Sequence, residues 1–212
     1  MADLVLYDHP VSSNCLKVRF LLAELGLDAE RRHMPFTRPR PSHYVELNPF
    51  GGLPSLIDGS VMLAESNAIL RYLARREQRD DLYPSEPGAA AGVDWALDAW
   101  ATNVRPALAP AESVALMETG NWDEGGGRWE DADQDRLGQA LEQAAAALER
   151  FEAFCADNGT VLGEFTIADC CVAPVLWRWK RLPLGFDSFP KTALLQGRAS
   201  NRPSFLAAEP VA

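Results

Sequence analysis

The stretch from Asn48 to Leu70, NPFGGLPSLIDGSVMLAESNAIL, restricts the fold more than any other part of the chain. A Gly-Gly-Leu-Pro turn ends at Pro54, the pair Asp58-Gly59 turns a hairpin, and Glu65-Ser66-Asn67 opens a helix. A proline ahead of a strand cannot donate a ladder hydrogen bond, so it stands at an edge or in a turn, and X-Pro bonds are where cis peptides occur. A cis Leu53-Pro54 bond would aim the Leu53 N–H and C=O out of the sheet edge, toward the backbone of an extended peptide. The helix starting at Ser66 carries free N–H groups that favour a carboxylate. The segment reads as a holder for a small acidic peptide.

The 212 residues suit one large domain or two small ones. Hydrophobic residues at 47% and charged residues at 24% give an ordinary globular profile without low-complexity tracts. Residues 1–79 hold ten Lys+Arg against nine Asp+Glu, and residues 80–212 ten against twenty-one, so the net charge of -10 divides into +1 for the first part and -11 for the second. That balance argues against a nucleic-acid surface and for a solubilising role of the acids. The four cysteines, Cys15, Cys155, Cys170 and Cys171, have neither zinc spacing nor disulfide-framework density, so no metal is expected. The opening MADLVLYDHP carries acids and lacks a basic region followed by an apolar stretch, so no signal peptide is expected there, and no run reaches the roughly 20 apolar residues of a spanning helix. The expectation is a cytoplasmic protein with reduced thiols, away from membranes.

Leu4–Tyr7 reads as a strand, followed by a turn at Pro10-Val11-Ser12-Ser13. Cys15, Val18, Leu22 and Leu25 recur at helical spacing, with Gly26 as the stop. A second strand fits near Glu30–Met34, Thr37–Ser42 with its two prolines reads as a loop, and a short helix precedes Asn48-Pro49. Ile69, Leu70, Tyr72 and Leu73 face a core. The order βαβ then ββα predicts an α+β layer over 1–78, a linker over 79–88 and an all-helical domain over 89–212. In the latter, one helix is expected from Ala89 toward Met117, disturbed by Pro106 and Pro110. A glycine-rich acidic loop follows over Gly120–Asp131, then an amphipathic helix over Ala132–Ala156. Thr166-Ile167-Ala168-Asp169 reads as a capping box opening a buried helix through Trp179.

The combination LYDHPVSSNCLKVRFLLAELGL, NPFGGLP, ESNAILRYL and FTIAD resembles the glutathione S-transferases over essentially the full length, most specifically in residues 4–75. The resemblance implies a thioredoxin-like N-terminal domain followed by an all-α C-terminal domain. It implies glutathione as co-substrate, a small electrophile as second substrate, a role in detoxification, and a homodimer. Serine-type members place the catalytic hydroxyl where Ser12 stands, five residues beyond the Tyr of the Leu-Tyr pair. There it would donate a hydrogen bond to the glutathione thiolate and lower a thiol pKa that is ordinarily about 8.5. Ser13 is the second candidate, and as local sequence Ser12, Ser13 and Asn14 also read as helix caps. Tyrosine-type members carry their Tyr one position later, at Asp8, which leaves Tyr7 a strand residue. Omega-type members carry a Cys at the place of Ser12, so Cys15 has no partner for dithiol chemistry.

By the same resemblance Ser66 receives the γ-glutamyl carboxylate and Glu65 its ammonium, though the two could equally form a capping pair. Leu53, with Pro54 behind it, presents main-chain bonds to the cysteinyl unit. Arg40, with Arg38 or His43 as alternatives, pairs with the glycyl carboxylate. Relatives often carry Gln or Lys at the position of Gly52, and its absence here shifts work to Arg40. His9, Val11, Trp100, Trp122 and the surroundings of Ala111 are candidates for the second-substrate pocket, although Trp and Ala at helical spacing are more often core. Phe50 reads either as a dimer anchor or as a packed turn residue, and Asp169 as structural. The leading expectation is a transferase acting on small electrophiles or organic hydroperoxides. A zeta-like isomerase is suggested by Ser12-Ser13 and Val18-Arg19, although Asn14-Cys15-Leu16-Lys17 replaces the C-x-W-R of that class. A non-catalytic ligand- or protein-binding member of the fold is the third reading. Retention of Ser12, Glu65 and Ser66 speaks against it, and Gly52 leaves it open.

Overall fold

Residues 4–209 are described by the structure, a computed structural model. The N-terminal part runs β1 (Leu4–Asp8), α1 (Ser13–Leu25), β2 (Glu30–His33), α2 (Ser42–Leu47), β3 (Ser55–Asp58), β4 (Val61–Ala64) and α3 (Ser66–Arg76). Its sheet has the order β2-β1-β3-β4, with β1 parallel to β2 and the other pairs antiparallel. This is the mixed four-stranded sheet of a thioredoxin-like domain. Gly26 ends α1 as expected: at φ 67° its N–H and that of Leu27 return to carbonyls of the last turn. One face of the sheet carries α1 and α3, whose Val18, Phe20, Leu21, Ile69, Leu70 and Leu73 join the main core. The other face is covered around Tyr44 of α2, which packs with Tyr7 and Met34.

The helical part comprises α4 (Pro87–Ala99), α5 (Arg105–Glu112), α6 (Gln134–Phe154), α7 (Ile167–Trp179), α8 (Pro190–Ser200) and α9 (Pro203–Ala208). The single helix expected over Ala89–Met117 is instead a composite. Pro106 removes an amide and crowds the preceding turn, and the helix widens into a π turn over Trp100–Val104 just before it. A second π turn, Ser113–Met117, follows Pro110. The amphipathic helix after the glycine-rich loop begins at Gln134, because Asp133 caps it by accepting from Arg136 N–H.

Helix α7 lies at the centre, packed against α1, α3, α4 and α8. Its capping box forms as read, with Thr166 accepting from Ala168 N–H and Asp169 from Thr166 N–H. Helix α9 packs back against α1. Phe205 of α9 meets Phe20 of α1 edge-on at 5.1 Å, Arg202 and Ser204 bond Glu24, and Arg19 Nε donates to the Ala208 carbonyl at 3.0 Å. No described helix is long and apolar enough to cross a membrane.

Candidate functional site

A cleft of about 530 Å³ opens between the two parts of the chain, a size ordinary for small-molecule sites. Ser12, Arg40, Leu53, Pro54, Glu65 and Ser66 all line it. Separated by up to 54 positions in sequence, they are brought together because the β1–α1 turn, the cis Leu53–Pro54 turn and the start of α3 meet at one end of the sheet.

Ser12 is the N-cap of α1, its Oγ accepting from Cys15 N–H at 3.3 Å. A capping hydroxyl spends a lone pair and keeps its hydrogen, so the cap leaves a donor for a second partner. Capping and donation are compatible in this residue. Ser13 is buried and does not line the cleft. Cys15 is fully buried, and burial, with Asp8 next in weight, pushes its thiol up to about 12. It is therefore a protonated core residue. The Tyr7 hydroxyl accepts from Arg32, which agrees with a strand role.

The opening of α3 differs from a capping pair. Glu65 occupies the N-cap position without a side-chain cap bond, and its backbone sits at φ 67° and ψ 113°. A non-glycine residue in that region is uncommon, and such strain concentrates where a ligand is held. Ser66, nearly buried, is the first residue of the helix.

Arg40 is buried, and its guanidinium donates to the carbonyls of Gly51 (3.0 Å), Thr37 (3.1 Å) and Pro35. It staples the loop Pro35–Arg40 to the turn before Leu53 while standing on the cleft wall. Burial, with Arg38 beside it, lowers its pKa. Arg38 also lines the cleft and is exposed, whereas His43 is exposed and lies elsewhere. The Gly52 carbonyl accepts from Asn48 Nδ2 (3.0 Å) and the Tyr44 hydroxyl. A Cβ at Gly52 would meet nothing closer than 4.0 Å, so the fold leaves room for a side chain there.

Asn14, Phe36 and Met117 complete the lining and were missed in the sequence. Met117 closes the second π turn, and its spacing alone matches an ordinary core residue. Trp100 and Ala111 take the core reading rather than the pocket one: both are buried in the helical core, Trp100 edge-on to Phe151 at 4.8 Å. His9 is buried below the β1–α1 turn and Val11 packs against the core. The side chain of Trp122 lies outside what the structure describes. Phe50 is 84% exposed, which removes the packed-turn reading. Among the described residues, no group of three His, Cys, Asp or Glu could hold a metal.

Comparison with known proteins gives a consistent picture. Residues 2–75 match the family described as "Glutathione S-transferase, N-terminal domain", and residues 96–198 match "Glutathione S-transferase, C-terminal domain". The chain is 34% identical to Glutathione S-transferase 3 of Zea mays over 80% of its own length and 75% of the relative. It is 26% identical to maleylacetoacetate isomerase of Pseudomonas aeruginosa over 97% of its length and 95% of that protein. The theta class glutathione S-transferase of Xanthomonas axonopodis pv. citri, solved with glutathione bound, superposes with a TM-score of 0.85 at 25% identity, covering 100% of this chain and 99% of that one. With both halves matched in order, the chain belongs to the glutathione S-transferase family.

Proposed function

We propose that the protein is a serine-type glutathione S-transferase in which Ser12 stabilises the glutathione thiolate. One observation carries this reading: the residues that would grip each end of the tripeptide and the hydroxyl that would meet its sulfur line one cleft. In this arrangement the γ-glutamyl carboxylate rests on the Ser66 hydroxyl and the N-terminus of α3, with Glu65 on the ammonium. The Leu53 main chain pairs with the cysteinyl unit. Arg40 and Arg38 supply positive charge for the glycyl carboxylate. The sulfur then lies at the N-terminus of α1, where the helix dipole and the Ser12 hydroxyl favour the anion. The thiolate attacks the electrophilic carbon, a C–S bond forms, and the leaving group departs with its electron pair. Phe36 and Met117 offer apolar contact for that second substrate.

Retention on glutathione resin together with turnover of a generic electrophile tests the reading. Retention without turnover would favour a non-catalytic member, and absence of both would overturn the proposal. The likeness to maleylacetoacetate isomerase over 97% of the chain supports a second reading, a glutathione-dependent isomerase, which a cis–trans isomerisation assay decides.

Two variants separate binding from chemistry. Ser66→Ala should weaken glutathione by about tenfold in calorimetric titration, the loss of a hydrogen bond to a charged group, with little change in kcat. Cys15→Ala should leave turnover near wild type. A Cys15→Ala variant that folds but is inactive would contradict the serine assignment.

The same reading includes a two-fold homodimer in which the N-terminal part of one protomer faces the helical part of the other. Phe50 stands out from the surface, and a groove of about 250 Å³ between α4 and α6 is lined by Trp95, Ala99 and Phe154. Trp95, 66% exposed, stacks edge-on to Phe154 at 4.7 Å. The near-neutral first part and strongly acidic second part suit this pairing. Light scattering at micromolar concentration should give a dimer mass, shifted toward the monomer by Phe50→Ala. A monomeric wild type would end the proposal.

A further inference from the structure

Val11, the residue in front of Ser12, is held from both sides. Its N–H donates to His9 Nδ1 at 3.3 Å, and its carbonyl accepts from the Arg178 guanidinium on α7. An accepting Nδ1 places the ring proton of a neutral imidazole on Nε2. That Nε2–H donates to Asp123 Oδ1 at 3.0 Å. Asp123 comes from a 3-10 turn, Trp122–Glu124, in the glycine-rich loop of the helical part. The same carboxylate accepts the amide of Phe36 and, at 3.3 Å, that of Thr37. Phe36 and the following Arg38 and Arg40 form one wall of the cleft. A single carboxylate thus reaches both the wall and the turn that presents Ser12.

The loop that carries Asp123 is itself fastened. Asp123 N–H donates to Asn121 Oδ1 at 3.1 Å, and Gly127 N–H to the Leu116 carbonyl at 2.8 Å. Arg181, just past α7, donates to the carbonyls of Gly125 (2.7 Å) and Gly127 (3.1 Å). Gly127 runs so close to Thr119 that an added Cβ would meet its carbonyl carbon at 2.4 Å, so only glycine fits. His9 is buried between the rings of His33 and Phe36, at 5.1 and 5.2 Å. The charged and titratable groups around it are Asp123 from the loop, His33 from β2, Asp8 at the end of β1, and Arg19 from α1, which bonds the His9 carbonyl. Burial lowers the His9 pKa against the pull of Asp123, which keeps Nδ1 unprotonated and able to accept. Burial also raises the Asp123 carboxyl, but the Phe36 amide and His9 outweigh it and the net shift is downward.

We propose that Asp123 is a positioning residue of the glutathione site, fixing the Phe36–Arg40 wall through two backbone amides and the Ser12 hydroxyl through His9 and Val11. This rests on the glutathione reading of the cleft. Asp123 acts through other groups and does not touch the reacting atoms.

Three variants of the full chain test it. Asp123→Ala removes both limbs. His9→Asn keeps an acceptor near the place of Nδ1 but gives up Asp123, and His9→Gln reaches Asp123 but leaves the Val11 N–H without its acceptor. Hydrogen exchange without ligand reads the latch itself: Asp123→Ala should accelerate exchange at Val11, Phe36 and Thr37 by about tenfold or more. Titration with glutathione should then show about tenfold weaker binding for Asp123→Ala. The pH profile of thiolate formation on bound glutathione should move upward in Asp123→Ala and His9→Gln, and less in His9→Asn. Loss of the negative charge alone would move that profile downward, so the sign distinguishes positioning from bare electrostatics. Unchanged exchange at Phe36 and Thr37 in folded Asp123→Ala would overturn the latch. Faster exchange with unchanged affinity and an unshifted profile would overturn the positioning role. If the wild type itself binds no glutathione, the functional reading falls, and the exchange data still decide the latch.

Discussion

Ser12→Ala should lower kcat by roughly two powers of ten while changing glutathione affinity little. Removing one preorganised donor to a developing anion costs on the order of 3 kcal/mol, and the remaining contacts to the tripeptide are made elsewhere in the cleft. The cap on Cys15 N–H at 3.3 Å is lost as well, at about 1 kcal/mol of stability, which activity assays at low temperature tolerate. The signature is the pH profile. With less stabilisation of the thiolate, ionisation of bound glutathione moves upward, and part of the lost rate returns at alkaline pH. Titration calorimetry fixes the affinity and a kcat–pH series fixes the ionisation. Full activity with an unshifted profile in Ser12→Ala, with activity abolished in Ser13→Ala, would transfer the role to Ser13.

The largest stability effect is expected far from the cleft, at Asp169. Both carboxylate oxygens are used, Oδ1 by Val161 N–H at 2.9 Å and Oδ2 by Thr166 N–H at 2.8 Å, in a side chain that is 1% exposed. Asp169→Ala leaves two buried amides without partners at the start of the central helix. At about 1–3 kcal/mol each, the loss approaches half of a typical folding free energy. Melting should fall by about 10 °C, given roughly 2–4 °C per kcal/mol for a chain of this size. A folded Asp169→Ala variant with an unchanged midpoint would contradict this. Burial pushes the Asp169 carboxyl up to about 6 from its ordinary 3.8, against the amides of Thr166 and Val161. The folded state then binds its proton more tightly than the unfolded chain, so this group's contribution is present below its unfolded pKa and lost as pH rises through about 6. Urea midpoints of Asp169→Asn should lack that component of the pH dependence.

Elements with a local cause were legible in the sequence. Gly26 ends α1 because a left-handed residue closes the last turn, and Thr166 with Asp169 opens α7 because both partners of the box are adjacent. The six candidates that line the cleft were picked out only through the family pattern, since Ser12 and Ser66 alone look like helix starts. What stayed hidden depends on distant partners. Nothing near Asp123 in sequence announces the amides of residues 36 and 37, eighty-odd positions away. Arg40 reads as a solvated loop arginine until its carbonyl partners are placed. Trp100 suits a core more often than a pocket by its spacing, and the packing against Phe151 decides for the core. The π turns arise where two prolines fall inside an otherwise helical pattern, and how the freed carbonyls are accommodated is a matter of geometry rather than propensity.

The return of α9 to α1 bears on how the molecule comes apart. Phe205 packs against both Phe20 of α1 and Trp177 of α7, and Glu24 bonds Arg202 and Ser204, so α9 ties the helical part to α1. Loss of structure in either part would strip the other of some of its interior, so urea unfolding followed by tryptophan fluorescence and by far-UV circular dichroism should give coincident midpoints.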